Sequence, residues 1–243
     1  MCFSATASFS ASAILGVTGV ITLKNCKSSN QEMFGSIPFV FAIQQLLEGI
    51  LWVTIGNPDY GTLSQFSMYG FLFFAQILWP IWVPLSIILL IKKDHRNIIH
   101  YLLLLIGVIV AGYLAYCLAT FGVTANIEGH HVLYVQDYPH GKRKFVGAFY
   151  IIATVFPTLF CRIKRMWLLS VTIFISYVLA AIFYEYYVVS VWCFFSSIIS
   201  LAVYVVINNL QNIGDNKFKD SMLESTNYNS PLKNNTEKHS NFQ

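Results

Sequence analysis

Apolar runs long enough to cross a membrane recur along most of the chain and exclude most other folds. A helical span needs roughly 20 apolar residues. Only 11% of the 243 residues are charged, against about 25% in soluble domains. A water-soluble globule of this size would lack polar surface. The pattern predicts an all-α bundle of seven transmembrane helices, over Ala5–Leu23, Ser36–Gly56, Phe66–Ile91, Ile98–Phe121, Phe145–Cys161, Met166–Phe183 and Tyr187–Ile207.

The last two predicted spans are separated by a turn rather than by a charged loop. Glu185 is the only charged residue between Met166 and Ile207. One helix over that range would be about 63 Å long, roughly twice the hydrocarbon thickness. The chain must therefore fold back, and the polar, aromatic segment Tyr184–Tyr187 is the expected turn, because tyrosine favours the membrane interface.

Orientation follows from the distribution of lysine and arginine between the connections. The outer side carries only Lys142, Arg143 and Lys144, and cytoplasmic loops are the basic ones. This asymmetry predicts an outer N-terminus and a cytoplasmic C-terminus, in the plasma membrane. The remaining basic residues fall on the opposite side: Lys24, Lys27, Lys92, Lys93, Arg96, Arg162, Lys164, Arg165, Lys217, Lys219, Lys233 and Lys238.

Both ends of the chain are informative. Met1–Ser4 lacks the basic region of a signal peptide, so we expect the first span to be retained. Asn208–Gln243 is rich in Asn, Ser and Lys, which predicts a disordered cytoplasmic tail after a membrane domain over residues 1–207. The net charge of +4 lies in connections and tail, and no nucleic-acid motif is present, so the lipid bilayer is the expected partner.

The second predicted span carries an unusual group of polar side chains. Gln44, Glu48 and Trp52 are one helical turn apart and Gln45 is adjacent, so they share a face. Polar groups at membrane depth are expensive unless other parts of the protein satisfy them. Glu48 is therefore a candidate metal ligand, proton acceptor or substrate anchor. The alternative is a neutral structural carboxyl bonded to Gln76 or to a tyrosine.

The first and third spans each allow two interpretations. Ser4, Ser8, Ser12 and Gly16 follow one face of the first span, which indicates a hydroxyl-lined path or simply close helix packing. In the third span Gln76 precedes Pro80 and Pro84. The prolines predict a kink, which opens a cavity or only fits the helix to its neighbours.

The one long outer connection, Gly122–Lys144, contains further candidate residues. Long loops without regular structure are often functional. Val132–Val135 has a strand-like or interfacial pattern. Adjacent histidines are a weak metal signal by themselves, since neighbouring side chains point in different directions. The polar and ionisable residues of this connection are Glu128, His130, His131, Tyr134, Asp137 and His140.

Several of these fragments together resemble a family of bacterial multi-span membrane proteins that has no assigned function. The matching fragments are Met1-Cys2-Phe3-Ser4-Ala5, Gln44-Gln45 with Glu48-Gly49, His130 with Tyr134, and Ser190 with Trp192-Cys193. The family often has Cys after the loop histidine, where this chain has His131. The resemblance implies the fold and supplies no activity.

Three hypotheses follow, and the first is a metal site at the outer face. Cys2, Glu48, His130 and Cys193 offer thiolate, carboxylate and imidazole, the ligands of zinc or, with soft thiolates, of copper. Such a site could belong to a membrane-embedded enzyme with Glu48 as ligand or general base. Loss of Met1 would add the Cys2 α-amine to this chemistry. The candidate substrate-binding residues are Gln44, Gln45, Trp52, Gln76, Tyr134 and Trp192.

The other two hypotheses need no metal. A small-solute transporter or sensor would use Glu48 to couple protons or to bind its substrate. A structural membrane protein would join Cys2 and Cys193 in an outer disulfide and would keep Glu48 as a neutral packing acid.

Overall fold

The protein is described by a computed structural model that covers residues 4–161, 163, 165–183 and 196–211. It is mostly helical. The α-helices of the described residues are α1 (Ala5–Lys24), α2 (Ser29–Gly35), α3 (Ile37–Thr54), α4 (Gly61–Leu72), α5 (Trp79–Leu90), α6 (Ile98–Thr120), α7 (His140–Leu159), α8 (Met166–Phe183) and α9 (Ser196–Gln211). Short 3₁₀ turns at Pro58–Tyr60 and Lys93–His95 precede α4 and α6.

Four helical stretches are long and apolar enough to cross a membrane: Ala5–Lys24, Ser29–Thr54, Pro58–Leu90 and Ile98–Thr120. They coincide with the first four predicted spans. Three shorter apolar helices, Phe145–Leu159, Met166–Ser176 and Ser196–Gln211, lie where the last three spans are predicted. The expected turn at Tyr184–Tyr187 lies outside the described residues, so seven spans remain a prediction.

Helices α1 and α3 form a closely packed antiparallel pair. The Ser12 hydroxyl donates to the Ala42 carbonyl at 2.8 Å. A Cβ at Gly19 would lie 2.7 Å from the Phe39 nitrogen, so only glycine lets the two backbones approach this closely. Near the other end of the pair, the Phe9 ring covers Gly49. Small residues allow such approaches between helices in lipid, which supports the packing interpretation for this part of α1.

The third membrane-length stretch departs from α-helical geometry where its prolines begin. Phe73–Leu78 is a π-helical segment, joined directly to α4 and α5. Pro80 has no N–H to donate and therefore disturbs the local ladder. The Tyr150 hydroxyl of α7 donates to the Ala75 carbonyl at 2.6 Å. A neighbouring helix thus satisfies a carbonyl of the irregular segment, as an apolar environment requires.

The connection after α6 contains a β-hairpin, so the all-α description was incomplete. Strands β1 (Val123–Glu128) and β2 (His131–Gln136) pair antiparallel, with Glu128 opposite His131. Gly129 has φ +60°, which suits the first central position of a type II′ turn. Alternation puts Val123 and Val132 on the buried face of the hairpin. That face covers the ends of the helices, where it joins an apolar cluster with Leu51, Met68, Phe71, Leu72 and Leu118.

Candidate functional site

Helix α3 places three polar side chains, two amides and one carboxyl group, in the protein interior. Gln44 and Gln45 are each 1% exposed and Glu48 is 0% exposed. Their spacing puts them on a continuous face of α3, as the sequence predicts. Trp52 follows one turn later, with its indole nitrogen buried. Glu48 is the only buried carboxyl group among the residues that the structure describes.

Gln44 is held by the tryptophan of the neighbouring helix. The Trp79 indole nitrogen donates to the Gln44 amide oxygen at 2.8 Å, and both side chains are buried. The Trp79 ring stacks on Phe41, with ring centroids 4.1 Å apart. These contacts fix α3 against α5 and orient Gln44, so at least this amide has a structural role.

Gln76 lies in the π-helical segment and is linked to the connection between β2 and α7. It is 8% exposed, and its amide oxygen accepts a hydrogen bond of 3.2 Å from the Tyr138 hydroxyl. Burial, followed by the nearby Cys117 and Tyr69, raises the pKa of Tyr138 above its usual value. The phenol therefore stays neutral and keeps its proton for donation. The chain between β2 and α7 is tied in this way to the helix that faces α3.

The hairpin separates the residues that the sequence grouped in one loop. Tyr134 stacks on Phe71 of α4, with centroids 5.1 Å apart and rings inclined by 4°. His130 is exposed in the turn. Partial burial and the adjacent His130 lower the pKa of His131, which favours its neutral form. Tyr134 thus belongs to the packed face, whereas His130 points to the surface end of the hairpin.

The predicted metal site is only partly covered. Cys2, Trp192 and Cys193 lie outside the described residues, so the hypothesis that Cys2 and Cys193 join Glu48 and His130 stays a prediction. Within residues 4–161, 163, 165–183 and 196–211, no group of three His, Cys, Asp or Glu side chains could hold an ion.

Three other cysteines are present as free thiols in the described part, and each fits a packing role. Cys117 and Cys161 are buried, and Cys26 is half-buried. Burial, with a smaller contribution from Glu32, raises the pKa of Cys26 to about 11, so its thiol is neutral. A buried neutral thiol packs as a small apolar side chain.

Several features of the site were not anticipated. Tyr138 carries no sequence pattern that marks it as a partner of Gln76. Pro80 indicates the π-helical segment only indirectly. Four buried serine hydroxyls, those of Ser8, Ser67, Ser196 and Ser200, have no hydrogen-bond partner in the part of the chain described here. Only Ser8 belongs to the serine pattern noted in the sequence.

Comparison with known proteins gives a family but no function. No curated protein and no solved structure matches the chain. The model of one family matches residues 1–216, a range that includes every helix of the described residues and the hairpin. The chain therefore belongs to DUF6629, a family of unknown function.

Proposed function

We propose that this protein is a seven-span protein of the plasma membrane that binds a small polar solute at Gln45 and Glu48, as a carrier or a sensor. The supporting observation is the complete burial of Glu48 within an apolar, membrane-length helix. Burying a carboxyl group costs free energy unless it is hydrogen-bonded, and the cost is much larger when the group is ionised. A purely structural role needs no acid at this position, whereas recognition of a polar solute does.

The surroundings of Glu48 support a site that can rearrange. Helix α3 packs against α4, which continues directly into the π-helical segment that carries Gln76. Turns of π-helix are frequent at functional sites. Tyr138 binds Gln76 from the outer connection. A movement of this connection would therefore be transmitted directly to the helix opposite α3, as a carrier or sensor requires.

The proposed orientation has its own test. With the N-terminus outside, Asp137 faces the exterior and Asp94 the cytoplasm, because basic residues concentrate on the cytoplasmic side. Asp137→Cys should react with a membrane-impermeant thiol reagent added to intact cells, and Asp94→Cys should react only after lysis. Reaction of both from the outside would contradict the seven-span arrangement.

Solute binding is tested with chemically different probes on the purified full chain in detergent. Radiolabelled myo-inositol, choline and sodium represent neutral polyols, organic cations and metal cations. At least one probe should bind saturably, and Glu48→Gln should weaken that binding about ten-fold or more, as the loss of a charge-assisted or strong hydrogen bond does. Glu32→Gln is the matched control, because Glu32 is exposed on α2.

An absence of saturable binding that depends on Glu48 would refute the proposal. The structural alternative, with Glu48 as a neutral packing acid, predicts this result, together with a loss of thermal stability in Glu48→Gln that exceeds the loss in Glu32→Gln.

A metal site remains the second candidate, favoured by the chemistry of its donor set. Cys2, Glu48, His130 and Cys193 would hold zinc or copper, and Glu48 would then act as ligand or general base. Elemental analysis separates this candidate from the first: Cys193→Ser should remove the metal and Cys117→Ser should not. Blocked alkylation of two thiols without bound metal would instead indicate the outer disulfide between Cys2 and Cys193.

A further inference from the structure

Buried hydroxyl groups fall into two classes in the described part of the chain. Seven have a hydrogen bond to a carbonyl one turn earlier in the same helix: Thr22, Thr54, Ser86, Thr154, Thr158, Ser170 and Ser176. This is the usual way in which a helical hydroxyl is satisfied in an apolar environment. The other four, Ser8, Ser67, Ser196 and Ser200, are each 0% exposed and have no partner among the described residues.

Two of these four hydroxyls lie within one helical turn of Glu48 along the bundle. Contact of Phe9 with Gly49 puts Ser8 of α1 level with Glu48 of α3. On α4, Gly70 faces Leu47. Ser67 is three residues earlier on the same face of α4, hence about 4.5 Å further out. Both α1 and α4 pack mainly against α3, so their buried faces are turned towards it.

Helix α9 brings the other two hydroxyls towards the same level. The Gln211 side chain donates to the carbonyl of Asn25, which follows α1 directly, so these two residues mark a common depth. Ser196 is about 22 Å from that depth and Ser8 about 25 Å, at 1.5 Å per residue. Ser200 lies one turn below Ser196, on the same side of α9. Along the axis of the bundle, the unpartnered hydroxyls thus extend over about 10 Å, at the depth of Gln45 and Glu48.

The charge and the spread of these groups restrict the ligand. None of the buried side chains in the described residues is Lys or Arg, so an anion would have no counter-charge. A single cation lies within about 2.6 Å of all its ligands, so hydroxyls spread over about 10 Å cannot share one ion. The Trp52 indole N–H is also buried and lacks a partner among the described residues; it can only donate, and so needs an acceptor.

We propose that the solute is uncharged and carries several hydroxyl groups, each bonded to one of these unpartnered serines, with Trp52 donating to one of its oxygens. A hydroxyl group both donates and accepts, so a chain of them matches serine side chains without a counter-charge. A free polyol and the polyol headgroup of a lipid share this chemistry. The inference rests on the proposed solute site at Glu48 and names the class of its ligand.

The binding assay described above tests the class when serine variants are added. Myo-inositol should bind saturably, while choline and sodium should not. Ser8→Ala and Ser196→Ala should each weaken inositol binding about ten-fold, the effect of one lost hydrogen bond to the ligand. Ser86→Ala is the matched control, because its hydroxyl is buried but bonded to the Val83 carbonyl at 2.8 Å, and its affinity should equal that of the wild type.

Thermal unfolding without any probe provides a second measurement on the same variants. Removing a buried hydroxyl that lacks a partner relieves a desolvation penalty. The unfolding temperatures of Ser8→Ala and Ser196→Ala should therefore equal or exceed that of the wild type. A clear decrease in both would mean that these hydroxyls are bonded within the protein, which would overturn the inference.

The outcomes separate this inference from the proposed function. Binding of choline or sodium that depends on Glu48 would retain the solute site and refute the neutral polyol. Failure of all three probes would refute both. If a monoacylglycerol displaces inositol at a lower concentration than glycerol does, the source of the ligand is a lipid headgroup. If glycerol is effective at the lower concentration, the source is a free polyol. Either order supports the hydroxyl-rich class of ligand.

Discussion

The two halves of helix α3 are built from opposite kinds of side chain. Towards its N-terminal end, Ile37 and Val40 lie in a large apolar cluster with Phe34, Ile87 and residues of α8 and α9. Towards its C-terminal end, Gln44, Gln45 and Glu48 are equally buried but polar. Both halves are buried, so the difference between them is one of side-chain chemistry and not of burial.

This contrast separates stability from recognition along a single helix. In the apolar half, every buried side chain contributes packing contacts and needs no partner. In the polar half, each buried group requires a hydrogen bond, which the Trp79 indole provides for Gln44. We therefore expect mutations in the apolar half to affect mainly folding, and mutations in the polar half to affect mainly binding.

The largest effect is expected in the apolar cluster around the N-terminal half of α3, from Phe34→Ala in α2. Phe34 is fully buried in the apolar cluster, and truncation of a buried phenylalanine leaves a cavity that costs about 3–5 kcal/mol. The free energy of unfolding in detergent and denaturant mixtures measures this loss. Phe39→Ala is the matched control, because Phe39 is 41% exposed and should change stability far less. Equal losses would show that the cluster does not act as a core.

A smaller effect is expected at the close contact between α5 and α6. A Cβ at Gly107 would lie 1.9 Å from the Pro80 carbonyl oxygen, so Gly107→Ala must push α6 away from the irregular helix. Such overpacking costs about 1–3 kcal/mol. Gly112→Ala, on the same helix with open space around it, should be neutral or slightly stabilising. Unchanged unfolding of Gly107→Ala would contradict this tight contact.

The smallest effect is expected outside α3, from Tyr138→Phe in the connection between β2 and α7. Losing the hydrogen bond to Gln76 should lower stability by about 1 kcal/mol. The raised pKa of Tyr138 favours the protonated phenol in the folded state. Its contribution is therefore complete below the ordinary tyrosine pKa of about 10 and declines as pH rises above it.

Unfolding measured at pH 7, 9 and 11 tests both parts of that expectation. The difference between wild type and Tyr138→Phe should be constant from pH 7 to 9 and should shrink at pH 11. Tyr60→Phe, an exposed position, provides the control. A difference that grew with pH would contradict the protonated donor.

The sequence predicts the parts of this fold that depend on composition and periodicity. Four apolar runs become membrane-length helical stretches, the first and fourth with nearly the predicted bounds and the second and third beginning seven and eight residues earlier. The i, i+4 spacing of Gln44 and Glu48 correctly places both inside the bundle. These features follow from local chemistry, because an apolar segment in lipid must satisfy its own backbone by forming a helix.

Features that depend on contacts between distant segments were missed. The strand-like pattern of Val132–Val135 suggested half of the hairpin, but its partner Val123–Glu128 has no comparable signal. Tyr138 reaches Gln76 only because the hairpin returns the chain over α4. The buried serines differ in a way that the local sequence does not predict. The Ser86 hydroxyl bonds its own helix, whereas the Ser67 hydroxyl lacks a partner among the described residues, and neighbouring helices decide between these two states.

The most direct test of the central claim compares solvent access to the two halves of α3. Glu48→Cys and Val40→Cys should be made in the full chain and exposed, in intact cells, to a small hydrophilic methanethiosulfonate reagent, with mass spectrometry locating the adduct. A solute site predicts that Cys at position 48 is modified and that myo-inositol slows the reaction, while Cys at position 40 is protected by the apolar cluster. Modification of both positions at equal rates, or of neither, would contradict the account.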